Sequence, residues 1–294
     1  MTEPAELLQR CTFPAARTPV TCAVSGGADS LALLVLAVQA GCDVTAVHVD
    51  HGIREGSDRE ADVVAAAADR FGARFRSERV TVAPGPNLEA RLRAARYGVL
   101  PEDVLTGHTA DDQAETVLLN LLRGSGRSGL AGMRVANHPL LAVRRAETAA
   151  LCASFGLQPV VDPSNASSAF RRNRVRHELL PLANAVAERD VAALLARTAS
   201  LLREDEDLLD ALSLDIDPTD ARALSRAPRP LALRAIRRWL VPHLCGYPPD
   251  LESVERVLDV ASGRAVACEV SGGVTIRRSA QQLTVLATPP RTAR

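Results

Sequence analysis

The chain has 294 residues, enough for two domains, and its 35 basic and 35 acidic side chains cancel. That balance excludes a global basic field, so any contact with a polyanion must come from local clusters. Hydrophobic residues make up 47% and aromatics only 3%, so Val, Leu and Ala must fill the core. The longest apolar stretch, near Leu31–Ala40, is too short to span a bilayer. The start, Met1 to Glu6, is acidic and lacks the charged and apolar regions of a signal peptide, so a cytoplasmic protein with no membrane attachment is expected. The cysteines at 11, 22, 42, 152, 245 and 268 show no CxxC spacing, which suggests small buried apolar residues rather than zinc or iron–sulfur ligands.

The first half alternates strand and helix. Pro19 to Val24 is a short β-branched run that reads as a buried strand. Ser25-Gly26-Gly27-Ala28-Asp29-Ser30 follows, and Leu31 to Ala40 has helix formers without Pro or Gly. A strand that turns through glycines into a helix start is a phosphate seat, because backbone N–H groups and the helix dipole favour an anion there. Asp29 adds a carboxylate for a metal and Ser30 a hydroxyl for a phosphate oxygen. The chain contains no Lys, which excludes a Walker phosphate loop, and the third Gly of the dinucleotide fingerprint is missing.

Val44–Asp50 is a second strand, and Asp58–Phe71 a helix closed by Gly72. Phe75–Val82 is a third strand, and Asn87 caps a helix to Leu100. Val104–Gly107 is a fourth strand, and a helix from Asp111 or Asp112 runs through Leu122. This alternation predicts a parallel sheet covered on both faces, with ligands at the carboxyl ends of its strands. After Pro181 a long helical region reaches Ser213, two helices lie near Pro230–Leu240 and Asp250–Ala261, and Ala265–Val270, Val274–Arg278 and Leu283–Leu286 form a three-strand meander. Residues 289–294 read as a frayed tail.

Two further clusters carry chemistry. Gly107-His108-Thr109-Ala110-Asp111-Asp112-Gln113-Ala114-Glu115 packs three acids into a strand-to-helix junction, with Asp112 and Glu115 on one helix face. Acids so close repel one another unless a cation sits among them, and magnesium is the hard-cation choice; Asp111 taken alone reads rather as helix capping. His48 and His51 flank Asp50, where they either face a nucleotide or satisfy local hydrogen bonds. Phe170-Arg171-Arg172-Asn173-Arg174-Val175-Arg176 is a dense cationic run suited to phosphates and bases.

In chain order, Ser25–Ser30, His48–Arg54, Asn87–Ala90 with Arg96-Tyr97, Gly107–Thr116, Asp162-Pro163-Ser164-Asn165 and Arg172–Arg176 resemble the tRNA(Ile)-lysidine synthetase family of N-type ATP pyrophosphatases. The resemblance covers most of the first 185 residues, and His138 stands where the family usually has Arg. It implies an α/β fold: a parallel-sheet nucleotide-binding domain of the PP-loop, adenine nucleotide α-hydrolase-like kind, with a smaller C-terminal helical, α+β domain. Residues 1–185 would be the catalytic domain and 186–294 the tRNA-binding domain.

The implied enzyme is a ligase. ATP adenylates the C2 oxygen of the wobble cytidine of tRNA(Ile) with a CAU anticodon. Free L-lysine then displaces AMP, and the codon read changes from AUG to AUA. ATP and Mg2+ are the implied cofactors. Ser25, Gly26, Gly27, Ala28, Asp29, Ser30 and Gly107 would hold ATP and pyrophosphate. Asp29, Asp112 and Glu115 would hold metal, and Asp111 and Asp112 the lysine. Arg171, Arg172, Asn173, Arg174 and Arg176 would hold tRNA, with Asp29, Asp111, Asp112 and Arg174 forming the catalytic set. A homodimer would present two C-terminal domains to one tRNA. The rival readings are another PP-loop tRNA enzyme, such as a thiolase, or a non-catalytic tRNA-binding protein.

Overall fold

A computed structural model of the chain describes residues 4–50, 52, 58–82, 85, 88–160, 170–244 and 248–287. His51, Ile53, Arg54, Asn87, the Asp162–Asn165 turn, Cys245 and the tail from Pro289 lie outside the described residues. The chain divides into two compact units, residues 1–203 and 204–294.

The first unit is built on strands β1 (Pro19–Ala23), β2 (Asp43–Asp50), β3 (Arg74–Arg79) and β4 (Leu105–Thr106), in the spatial order β3-β2-β1-β4. All three pairings are parallel, with Val20 opposite Val44, Cys22 opposite Leu105 and Ala46 opposite Phe75. The α/β reading of the sequence is borne out. The chain builds outward from β1 to β3 and then returns to place β4 on the other side of β1. The strand order therefore reverses between β1 and β4, which is where open parallel sheets bind ligands. Both motif loops, the one after β1 and the one after β4, sit at that reversal.

Helices α1 (Pro4–Leu8), α2 (Ala28–Gln39), α3 (Asp58–Phe71), α4 (Leu88–Gly98), α5 (Ala110–Leu122), α6 (Arg127–Leu130) and α7 (Arg145–Ser154) complete the αβ layers. Every residue of α2 from Ser30 to Ala37 is buried. This explains its all-round apolar sequence: it packs on the sheet and on α3 and α7 at once. The helix starts at Ala28, earlier than the apolar run suggests, because the glycine bend ends in Gly27 as its cap. Strand β3 is shorter than expected and mostly exposed, as a charged edge strand should be.

The arginine run forms α8 (Arg171–Arg174), then a single π-helical turn at Val175–Leu179, then α9 (Leu180–Ala187). The long helical region of the sequence is thus interrupted. Glu188 adopts a left-handed conformation (φ 52°) and ends α9. Helix α10 (Val191–Ser213) follows, and the boundary between the two units falls within it.

The second unit contains α11 (Ala221–Arg226), α12 (Arg229–Leu240) and α13 (Leu251–Ala261), with an antiparallel meander of β5 (Ala267–Val270), β6 (Val274–Ser279) and β7 (Gln282–Ala287). Asp220 and Asp250 cap α11 and α13 by accepting backbone N–H groups. Ile236, Leu240, Val257, Ile276 and Leu283 form its core. No helix among the described residues is long and apolar enough to cross a membrane.

Leu151 is 1% exposed and belongs to the core shared by α2 and α7. Leu151→Ala should cost about 2–5 kcal/mol, because the cavity cannot collapse around a close-packed helix. Urea unfolding followed by circular dichroism checks this as a fall in the midpoint.

Candidate active site

Ser25 and Gly26 leave β1 and bend the chain into α2. Gly26 has φ +86°, a conformation a side chain resists, and a Cβ there would lie 3.2 Å from Val160 Cγ2. The bend is tied internally: Ser30 Oγ donates to the Gly27 carbonyl at 2.9 Å and accepts from the Ser25 N–H at 3.1 Å. Gly107, at the end of β4, lies so close that an added Cβ would stand 2.6 Å from the Asp29 carbonyl oxygen. The two motif loops are therefore packed backbone against backbone.

Between them lies a crevice of about 530 Å3, lined by Ser25, Gly27, Asp29, Ser30, Gly107, His108, Asp112, Arg145 and Arg176. Val47, Val49 and Tyr97 form an apolar wall, and Arg96 joins the rim. Ala28 also lines it. His48 is buried instead; its Nδ1 stands 3.0 Å from the Val24 carbonyl, which fastens the end of β1. Of the two readings open for His48, the structure gives the local hydrogen bond.

The cations found among the acids are arginines of the chain itself. Glu115 is fully buried, and three guanidiniums surround it. Arg172 Nε donates to Oε2 at 2.7 Å, Arg176 Nε to Oε1 at 2.7 Å, and Arg145 Nη1 to Oε1 at 3.3 Å. Arg145 also reaches Asp112 Oδ1 at 2.9 Å and Asp29 Oδ2 at 3.3 Å. One guanidinium thus links all three expected metal ligands. Asp112 caps α5 as well, accepting the Thr109 N–H at 2.9 Å and its hydroxyl at 2.8 Å. Asp111 is held bidentately by Arg144 at 3.0 and 2.8 Å and accepts the Arg145 N–H at 2.8 Å. Arg144 also pairs with Asp190.

These partners set the carboxylates apart. Burial pushes Asp29 above the ordinary carboxylate range, against the pull of Thr148 and Arg145, and Asp112 pushes it the same way. Burial works on Asp112 too, but Arg145, Arg172 and the Thr109 N–H outweigh it and hold it low. Asp111 is likewise lowered, because Arg144 and the Arg145 N–H overcome burial.

The carboxylates differ in their fitness for magnesium. Glu115 does not fit, since both its oxygens serve arginines in a closed setting. Asp112 is committed to its cap and to Arg145 and Arg172. Asp29 fits: it lines the crevice, is 26% exposed at its side chain, and its contact to Arg145 is long. One carboxylate with substrate phosphates and water is a normal magnesium set. Among the described residues, no group of three or more His, Cys, Asp or Glu is arranged to hold a metal alone.

The arginine run divides by side. Arg172 and Arg176 turn inward to Glu115, and Asn173 is buried. Arg171 and Arg174 face outward, with Arg174 paired to Glu178 at 3.0 Å. They flank a second hollow of about 550 Å3, floored by Leu119, Leu122, Val175, Leu179 and Leu182 and rimmed also by Arg123. Arg144 and Arg145 escaped the sequence reading. No glycine turn or acid cluster marks them, and two adjacent arginines before a helix look like solvated charge.

Residues 3–183 match the PP-loop domain family. The tRNA(Ile)-lysidine synthase of Nocardia farcinica is 43% identical over 301 residues, spanning 92% of this chain and 95% of its own. That of Gloeobacter violaceus is 40% identical over 82% of each chain. That of Mycobacterium tuberculosis is 43% identical over 74% of this chain and 73% of its own. Among solved structures, the U34-tRNA thiolase NcsA of Methanococcus maripaludis, which carries a [4Fe-4S] cluster, superposes with a TM-score of 0.55. At 18% identity, over 68% of this chain and 78% of that one, it shares the fold.

Glu115→Gln should destabilise the protein by about 3–5 kcal/mol, because it leaves buried guanidiniums underpaired; urea unfolding at neutral pH measures it. The acid dependence has a definite sign. Asp111 and Asp112 contribute stability that is full above the ordinary value of 3.8 and is lost as pH falls through their lower folded values. Asp111→Asn should therefore lower the urea midpoint at neutral pH, and that difference should shrink as the pH is taken below about 3.8.

Proposed function

Because the chain belongs to the tRNA(Ile)-lysidine synthase family, we infer that it converts the wobble cytidine of tRNA(Ile) to lysidine, using ATP and free lysine. The observation that carries this reading is the glycine bend at the strand reversal, facing Asp29 and Arg145 in one crevice.

The bend and the start of α2 receive the β- and γ-phosphates of ATP, with helix-end N–H groups toward the anion. The C2 carbonyl oxygen of cytidine attacks the α-phosphorus, and pyrophosphate leaves. Arg145, already in the crevice, neutralises charge that develops on the phosphoryl oxygens. Asp29 would hold magnesium, which would supply positive charge opposite the departing pyrophosphate. The lysine side-chain amine then attacks C2, and AMP departs.

Asp112 is better placed than Asp111 for the lysine ammonium, since Asp112 lines the crevice and Asp111 is spent on Arg144. The tRNA contacts fall to Arg171 and Arg174, with Arg123, around the apolar hollow. Guanidiniums there suit phosphates and the leucine floor suits an unstacked base. Arg172 and Arg176 instead shape the floor of the crevice through Glu115. Residues 1–185 carry the catalysis, and residues 186–294 complete the grip on tRNA. A thiolase reading is disfavoured by the cysteines. Burial raises the Cys22 thiol to about 12 and the Cys11 and Cys152 thiols to about 11, so they stay protonated at neutral pH.

Asp29→Ala should cut incorporation of radiolabelled lysine into tRNA(Ile) by about 100-fold or more, whereas retained incorporation would refute the role given to Asp29. Arg171→Ala and Arg174→Ala should raise the KM for tRNA and leave that for ATP unchanged. Each should also reduce the slope of log affinity against log salt by about one.

A further inference from the structure

The lysine side chain reaches the enzyme as an ammonium ion, with an ordinary pKa of about 10.4, and only the free amine can attack C2. Something must take that proton. Thr106, the last residue of β4, stands between two imidazoles. Its Oγ1 is 2.7 Å from His108 Nδ1 and 2.6 Å from His138 Nδ1. The two rings meet edge to face, with centroids 4.8 Å apart. Thr106 and His108 line the crevice. His138 is half-buried at the end of the short 3-10 turn Val135–Asn137. Asn137 pins that turn to the backbone before β4, donating to Glu102 and Val104 at 3.0 and 3.2 Å.

A hydroxyl has one proton to give. If Thr106 donates to one Nδ1, the other ring must donate to Thr106, so the rings hold opposite tautomers. If both rings donate, the hydroxyl turns to the Asn137 carbonyl, 3.4 Å away. The two tautomer pairs interconvert when a proton enters at one Nε2, protons shift along the three residues, and a proton leaves at the other Nε2. Resting on the lysidine reaction, we propose that His108 is the general base for the lysine amine and that Thr106 and His138 are positioning residues that relay its proton to solvent.

The step balances. His108 Nε2 takes a proton from the ammonium, and His108 Nδ1 passes its own to Thr106 Oγ1. Thr106 passes its hydroxyl proton to His138 Nδ1, and His138 releases one proton to water. Both ends return to neutral imidazoles, and no heavy-atom bond changes. Among the described residues, the charged groups that line the same crevice as His108 are Asp29, Arg96, Asp112, Arg145 and Arg176, and Asp112 on α5 interacts with it electrostatically.

The test follows pyrophosphate release and lysine incorporation separately, in single turnovers of the full-length enzyme with tRNA(Ile), from about pH 6 to 10. In the wild type, incorporation should rise with pH as His108 loses its proton and then level off. Thr106→Val should leave pyrophosphate release within about twofold while lowering incorporation at pH 7 by about 10- to 100-fold. Its incorporation should keep rising toward pH 10 as free lysine loses its own proton. Thr106→Ser should restore the wild-type profile. His138→Gln should reproduce the change seen in Thr106→Val, and it decides the matter alone if the valine variant does not fold. Unchanged pH profiles in both variants, or pyrophosphate release falling in step with incorporation, would overturn the relay. A wild type that released pyrophosphate but never took up lysine would instead overturn the reaction on which the relay rests.

Discussion

Glu115 is a carboxylate with no exposed surface, and such a group persists only when it is paired and hydrogen-bonded. It draws Arg145 from α7, Arg172 from α8 and Arg176 from the π turn onto one helix, α5. Three separate stretches of chain are thereby fixed around a single side chain. The same guanidiniums that satisfy Glu115 also reach Asp112, and Arg145 extends to Asp29 beside the glycine bend. The floor of the crevice is therefore set by one electrostatic requirement, and its charge balance depends on Arg145. A substrate phosphate entering there meets a cation already oriented. A substrate ammonium must compete with that cation for Asp112.

Much of this was legible in the sequence. β-branched runs and glycine punctuation located the four parallel strands and the C-terminal meander. The two motif loops fall at the carboxyl ends of β1 and β4 as the alternation implied. Gly26 and Gly107 explain themselves in the structure, one by its positive φ and the other by backbone contact with Asp29. What the sequence hid is the pairing across distance. Asp112 and Glu115 share a face, as three-residue spacing requires, but nothing local told that face that its counter-charges lie some 30 and 60 residues further on. The arginine run was visible as charge and not as direction. Residues 172 and 176 point in while 171 and 174 point out, as i,i+4 and i,i+3 pairs on a helix do.

This division gives a neutral chain inward arginines held by buried acids and outward ones at the surface. The inward arginines are compensated by buried acids and shape the floor of the crevice. The outward ones border leucines and are suited to a flexible polyanion whose bases can leave the stack. The strand reversal brings the nucleotide seat, the acids and the His108–Thr106–His138 group to one end of the sheet.

The central claim is that ATP is cleaved between its α- and β-phosphates in the glycine bend after β1. Purified protein incubated with unmodified tRNA(Ile), lysine and ATP labelled at the α and γ positions tests it most directly, with the products separated by chromatography. Label should appear in AMP and in pyrophosphate, in equal amounts and only when tRNA is present. Label in ADP and orthophosphate would contradict the account.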